Sequence, residues 1–351
     1  MECLILICSL AAVPNAAVAR GRQCENQKIP SVAKNKDMHR KTGTQTFPSL
    51  PKAITSFGAV RIGDWLYAYG GHYGKPHHYS QAGQSDQLQR LHLKSKTKWE
   101  LVAAGPKLQG LALVEYKGRL YRIGGLVASN KESEEQDLYS LSDFARFDAS
   151  AGKWKQLPPM PEARSSFDGA ILNDKLYVAG GWAMSGKGSD STWCKSAYAV
   201  DLSKPPFKWQ RLPDPPFQCR AVSVGAVNGK IVVIGGIQPD GKVTRKCAVF
   251  HPETGKWADG PALPSGEMEG FGTACCTVGG RLFVSTISGR LLRLNEEEHE
   301  WQQVCKLREA RFFHQMVALP KSSVILLGGA NMETGKFSSV EVVDVDEAGS
   351  R

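Results

Sequence analysis

The chain has 351 residues, a formal net charge of +10, 36 glycines, 19 prolines and 8 tryptophans. Hydrophobic residues make up 42%, enough for a buried core, and the glycines follow no three-residue period, so disordered and collagen-like chains are excluded. The length exceeds a typical domain, but closed all-β folds reach it as one unit, and the basic balance raises nucleic acid as a partner until the charge is located.

Leu4 to Val13 form a short apolar run, and Ala17-Val18-Ala19 makes a small-x-small site before Arg20. That is the shape of a cleaved secretory signal over residues 1–19, which predicts a secreted or periplasmic protein. The run has no basic residue ahead of it, and the other reading is an apolar N-terminus on a cytoplasmic protein. It is too short to span a bilayer, and no later segment is apolar enough, so no membrane span is expected. Residues 20–43 read as a basic, disordered linker, with Arg20, Arg22, Lys28, Lys34, Lys36, Arg40 and Lys41 against Glu25 and Asp37. The linker alone carries +5, and with Glu2 the segment before the fold holds a net +4, leaving +6 for the propeller. The rest is thinly spread and no longer argues for nucleic acid.

From residue 44 onward the sequence repeats itself. Gly-Gly pairs stand at Gly70-Gly71, Gly124-Gly125, Gly180-Gly181, Gly235-Gly236 and Gly328-Gly329, the first four roughly 55 residues apart. Each ends an apolar run, such as Leu176-Tyr177-Val178-Ala179, that reads as a buried strand. The last interval is nearly twice as long and hides a degenerate unit, Arg281-Leu282-Phe283-Val284, with Ser285-Thr286 in the place of the glycines. A tryptophan follows each of the first five strands, at Trp99, Trp154, Trp209, Trp257 and Trp301. The unit is four strands, a to d, with Gly-Gly closing b and Trp opening d. A four-stranded sheet with two apolar faces must bury both, and radial repetition does so. The chain stops after a third strand near Val340–Val345, whereas Thr46-Phe47-Pro48-Ser49-Leu50-Pro51 parallels the segment from Trp154 to Pro159. The expected fold is all-β: a six-bladed β-propeller of four-stranded antiparallel blades over residues 44–351, its last blade completed by the N-terminal strand.

The Gly-Gly pairs, the Asp/His-x(5)-Trp spacing (Asp148 to Trp154, His251 to Trp257) and the period together resemble the kelch-repeat family, including its secreted bacterial six-bladed members. The resemblance covers nearly everything after the linker. It implies that strand a lines a central channel and that the b–c and d–a loops share one face, the usual binding surface. It implies no cofactor. The copper-radical oxidases of this fold need a Tyr/His copper set that is not evident here.

On that face the long b–c loops run from His72 to Gln84, Leu126 to Asp137 and Trp182 to Trp193. The d–a entries hold Arg164, Arg220, Glu267, Glu269 and Arg311, with Asp168 and His314 just beyond. His72, His77 and His78 gather with Tyr73 and Tyr79, but their spacing fits no standard metal pattern, so no metal is expected. Arg164, Arg220 and Arg311 occupy equivalent blade positions to within one residue. They read either as a ring of guanidiniums for a carboxylate, sulfate or acidic peptide, or as ion pairs between blades. The candidate ligand-binding residues are Arg164, Arg220, Glu269, Arg311, His72, His78 and Trp182. The odd number of cysteines and their scatter exclude a disulfide framework. Two functions are expected: a monomeric binding module for a protein or glycan, or a sugar-active enzyme of the sialic acid mutarotase type. For the second, Glu269, Arg164, Arg311 and His314 are the catalytic candidates.

Overall fold

The computed structural model describes residues 47–95 and 97–345. The leader, the linker and residues 44–46 lie outside the described residues. Six antiparallel sheets follow in chain order, five with strands in the sequence a-b-c-d and the sixth with a-b-c. Blade one is Gly58–Ile62, Trp65–Tyr69, Gln87–His92 and Glu100–Ala104. Blade two is Ala112–Tyr116, Arg119–Ile123, Phe144–Asp148 and Lys153–Gln156. Blade three is Asp168–Leu172, Lys175–Ala179, Ala197–Asp201 and Trp209–Leu212. Blade four is Ser223–Val227, Lys230–Ile234, Cys247–His251 and Lys256–Gly260. Blade five is Ala274–Val278, Arg281–Ser285, Arg290–Leu294 and Trp301–Lys306, and blade six is Gln315–Leu319, Ser323–Leu327 and Val340–Asp344. Among the described residues there is no α-helix, so none is long and apolar enough to cross a membrane.

The core is a set of slabs between blades. Successive side chains of a strand point to opposite faces. Hence Leu176 and Val178 pack toward blade two, and Tyr177 and Ala179 toward blade four. Six such clusters fill the six junctions, including the one where blade six meets blade one. No blade buries both faces without its neighbours, which is why the ring must close.

Three repeating devices align the blades. First, the second glycine of each pair donates its N–H to the next blade: Gly71 to Leu108, Gly125 to Arg164, Gly181 to Cys219, Gly236 to Gly270 and Gly329 to Ile54. Only glycine fits there. Gly124 and Gly125 have φ of +56° and +110°, and a Cβ on Gly124 would lie 2.6 Å from the Arg164 carbonyl oxygen. Blade five lacks the link. Its register places Thr286-Ile287, one residue later than expected, where the other blades have the glycines, and Thr286 N–H turns back to the Arg290 carbonyl.

Second, one residue per blade, two before strand a, is left-handed: Ser56, Gly110, Ser166, Ala221, Gly272 and Phe313, with φ between 52° and 59°. Their backbones form a collar round the channel mouth. Gly110 donates to Ser56, Ser166 to Gly110, Ala221 to Ser166, Phe313 to Gly272 and Ser56 to Phe313, at 2.7–3.0 Å.

Third, the tryptophans clip adjacent blades. The indole N–H of Trp209 donates to the carbonyl of Pro158, that of Trp257 to Pro213, and that of Trp301 to Pro261. Trp99 does the same to Pro48 at 3.2 Å. Pro48 thus stands for blade six where Pro158 stands for blade two. Leu50 completes the match: it is buried, and its N–H donates to Ser338 as that of Met160 does to Ser142. The N-terminal segment therefore closes the last blade, and Pro48–Leu50 aligns with Pro158–Met160. Trp154 is the exception. Its indole N–H is buried without a partner because Tyr69 Oη–H has taken the Pro106 carbonyl. Trp209→Phe is therefore expected to cost about 1 kcal/mol more than Trp154→Phe in urea unfolding, the net value of one hydrogen bond. Equal losses would mean that the clip contributes nothing.

Candidate functional site

In an antiparallel a-b-c-d sheet, the start of a, the end of b, the start of c and the end of d lie at one end. The collar, the b–c loops and the d–a entries therefore share one face, with the collar at the channel mouth. The loops on this face are built rather than loose. Blade two has the hairpin Leu126–Ala128 with Leu138–Ser140, blade three has Trp182–Ala183 with Thr192–Trp193, and blade six adds Ala330–Asn331 with Gly335–Lys336. Blade one instead carries a 3-10 turn at Gln81–Gly83. Blade five has only a tight turn, in which Gly289 N–H returns to Thr286.

Arg164 and Arg311 do not reach this surface, as both are 0% exposed. Arg164 Nη1 donates to the carbonyls of Gly180 and Ser196, each at 3.1 Å. Its Nη2 donates to Ser196 Oγ at 2.7 Å and pairs with Glu162 at 3.3 Å. Arg311 repeats the pattern with Gly328, Ser339 and Glu309, and adds Glu341 at 3.5 Å. Burial lowers the Arg311 pKa, and the two carboxylates oppose that. These ion pairs and carbonyl contacts lie within a blade and not between blades: each arginine ties the entry of its blade to strands b and c of the same blade. The sequence signal was available as Glu-Ala-Arg at residues 162–164 and again at 309–311.

His314 is 1% exposed and sits between blades five and six. Its Nε2 hydrogen-bonds Ser285 Oγ at 2.6 Å, while Nδ1 has no partner. Burial, and then the Arg311 charge, push its pKa well below the ordinary value. It occupies the slot held elsewhere by Phe57, Leu111, Phe167 and Val222, so it serves as a wedge between blades. Glu269 is 4% exposed, folded back over Gly266, with Oε2 buried and unpartnered. Arg164 and Arg311 lie in blades three and six, on opposite sides of the ring. The four catalytic candidates therefore do not meet around one open pocket.

His72 is buried, and its Nε2–H donates to the His78 carbonyl at 3.1 Å. Burial, helped by the Lys336 charge, brings its pKa down to about 4. Lys336 reaches across the seam between blades six and one to the Gly74 carbonyl. Desolvation brings its own pKa to about 8. His78 and His77 are exposed. Among the described residues, no group of three His, Cys, Asp or Glu side chains is placed to hold a metal.

Arg220 differs from the other two arginines by one position in its blade. It lies one residue before the collar, where blades one to three have Thr55, Gln109 and Ser165. There its guanidinium lies 4.2 Å from the Trp182 ring and 5.6 Å from the Trp193 ring. Its Nε is buried without a hydrogen bond. Among the described residues no carboxylate lies within ion-pair distance of it. Burial lowers its pKa, but a guanidinium stays charged. Tyr79 stands close enough for the Arg220 charge to oppose the upward shift that burial gives its phenol, and packs on His72 at 5.0 Å. Gln109 adds a second unsatisfied group, a buried side-chain carbonyl. The mouth thus holds, among the described residues, a cation between two indoles without an ion-pair partner.

The far half of the channel is a different surface. A cavity of 420 Å³ is lined there by Ile171, Leu172, Val227, Cys276 and Thr277, without a charged side chain. Inner-edge backbone groups are capped from neighbouring blades: Asp168 Oδ2 accepts from Val224 N–H at 2.9 Å, and Thr277 donates to the Ala226 carbonyl. Asp168 is held at a pKa of about 6, chiefly by burial.

Sequence comparison places this architecture. A profile described as the KLHDC2/KLHL20/DRC7 Kelch-repeats domain matches residues 56–289, about two thirds of the chain. Kelch repeat and BTB domain-containing protein 12 of Homo sapiens is 24% identical over 64% of this chain and 38% of its own length. Kelch-like protein 41 of Mus musculus is 31% identical over 38% of this chain and 21% of its own. The chain therefore spans well under half the length of these relatives. The solved structure titled "Structure of YjhT" superposes with a TM-score of 0.69 at 15% identity, covering 86% of this chain and 98% of that one. The chain belongs to the kelch-repeat family.

Proposed function

We propose that this propeller is a protein-interaction module and that its ligand presents an anionic group to Arg220 at the channel mouth. The observation that carries the reading is the state of that side chain. A half-buried guanidinium between two indoles, with no carboxylate at ion-pair distance among the described residues, is a costly arrangement for an isolated protein. A ligand carboxylate or phosphate would complete it, with planar bidentate hydrogen bonds available to the fork. Hairpins of fixed geometry on blades two, three and six frame the mouth, and a preformed rim reduces the ordering cost of binding. The sealed positions of Arg164, Arg311 and His314 favour this reading over a sugar-active enzyme.

The test is selection from a display library of random peptides, run beside a glycan array. The wild-type protein is expected to enrich peptides containing Asp or Glu. Arg220→Gln is expected to lose that enrichment and about tenfold or more in affinity, with an unchanged melting temperature. Equal selection by the variant, or capture of oligosaccharides alone, would overturn the reading.

A further inference from the structure

Blade five breaks the rim of the loop face. It has no glycine pair at the end of strand b, no b–c hairpin and no long loop, only the turn from Thr286 to Arg290. Behind this low point lies an apolar cluster made of entry residues and loop-face hairpins rather than of the blade strands. Ala221, Ile237, Phe271, Phe312 and Ala330 are its buried part, and Met268, Ile287, Phe313 and Trp193 are its half-exposed part. Phe271, Phe312 and Phe313 pack mutually, with ring centroids 4.9–5.2 Å apart.

Phe313 is the anomaly of the collar. The other five collar residues are Gly, Ala or Ser, for which φ near 55° is tolerable or free, whereas Phe313 holds φ of 52°. A bulky residue is kept there at a backbone cost, where the other blades have a small one, and it packs on Phe271 and Phe312. Gly272 is open to it, since a Cβ on Gly272 would meet the Phe313 ring at 2.8 Å.

This apolar wall joins the cation. Trp193 packs against the cluster and also lies over Arg220. Ala221 follows Arg220 in the chain, and Ile237 is its bridge partner. One rim therefore offers a charge and, beside it, an apolar surface left uncovered where the hairpin is missing. Exposed apolar patches of this kind, next to a polar anchor, mark interaction sites.

Resting on the reading above, we infer that the ligand is a peptide segment of a partner protein in which an acidic residue lies close to a bulky apolar one. The acid meets Arg220. The apolar side chain enters over the low rim of blade five, against Met268, Ile287 and Phe313. Charge complementarity fixes the register, and the desolvated apolar contact supplies discrimination against merely acidic segments.

The experiment is an array of short peptides carrying one Asp, with Leu, Phe or Ser placed at each neighbouring position, probed with the full chain. The expected result is strongest binding where Leu or Phe accompanies the Asp. Ile287→Ser is expected to reduce that apolar preference about tenfold while keeping the preference for Asp. Arg220→Gln is expected to do the reverse. Melting curves accompany each variant, and Met268→Ser replaces Ile287→Ser if the latter melts early. Preference for Asp without any apolar preference would overturn this inference and leave the preceding reading standing. Absence of an Asp preference, or of any binding, would overturn both.

Discussion

Arg311→Ala is expected to lower the unfolding free energy by about 3–5 kcal/mol, the range for breaking a buried ion pair from one side. The guanidinium is fully buried and serves two backbone carbonyls, Ser339 Oγ, Glu309 and Glu341 at once. Removing it leaves Glu341, whose side chain is 5% exposed, without its guanidinium inside blade six, although the Arg308 N–H still donates to it. Arg164→Ala is expected to cost less, about 2 kcal/mol, because its partner Glu162 is 45% exposed and can turn to water. The carbonyls of Gly180 and Ser196 and the Ser196 hydroxyl oxygen are then left short of a donor. Lysine should rescue neither fully, since one ammonium cannot span carbonyl, hydroxyl and carboxylate as the planar fork does. Denaturant midpoints decide the matter. If both alanine variants unfold at the parental midpoint but fail to bind peptide, these arginines belong to the ligand site after all.

The contrast between these two and Arg220 shows where sequence reading stops. All three arginines stand before strand a, and their residue type says only that something planar and anionic, or a set of carbonyls, is met. Their alignment to within one residue looked like equivalence. In extended chain, however, one residue reverses the direction of a side chain. Arg164 and Arg311 turn into the blade, whereas Arg220, one step later, turns to the mouth. The same one-residue problem affected blade five, where Ser285-Thr286 was read in the glycine place that Thr286-Ile287 occupies. The glycine pairs and tryptophans were legible because each depends on a property of one residue: a missing Cβ, or a large ring with an N–H. The N-terminal closure was legible for the same reason, through Pro48 and Leu50. The collar could not be read, since Ser, Gly, Ala and Phe share no chemistry there; they share a backbone angle imposed by the ring.

Two buried histidines, His72 after strand b of blade one and His314 at the entry of blade six, make the fold acid-sensitive. Unfolding free energy is expected to fall as pH drops from about 6.5 toward 4, because His72 and His314 are buried in the neutral form. Their folded pKa values are depressed, so below 6.5 the unfolded chain binds protons that the folded chain refuses. The stabilisation is complete above 6.5 and is lost as pH falls through the folded values. For His72 alone, a shift from 6.5 to about 4 corresponds to roughly 3 kcal/mol. Asp168 works the other way. Its raised pKa of about 6 means that the folded state takes up a proton first, which favours folding as pH falls from about 6 toward 3.8. A difference between variants removes this term. His314→Leu combined with Ser285→Ala restores an apolar wedge like Leu111 and deletes both partners of the polar pair. Its stability at pH 7 should lie within about 1 kcal/mol of the parent, since removing both partners of a buried hydrogen bond can be nearly neutral. Its loss between about pH 6.5 and 4.5 should be visibly smaller, as one fewer proton is linked to unfolding. Urea titrations across that range measure both quantities. Parallel pH profiles for parent and double variant would mean that His314 is protonated in the fold, with Nδ1 satisfied by a group from blade five or six.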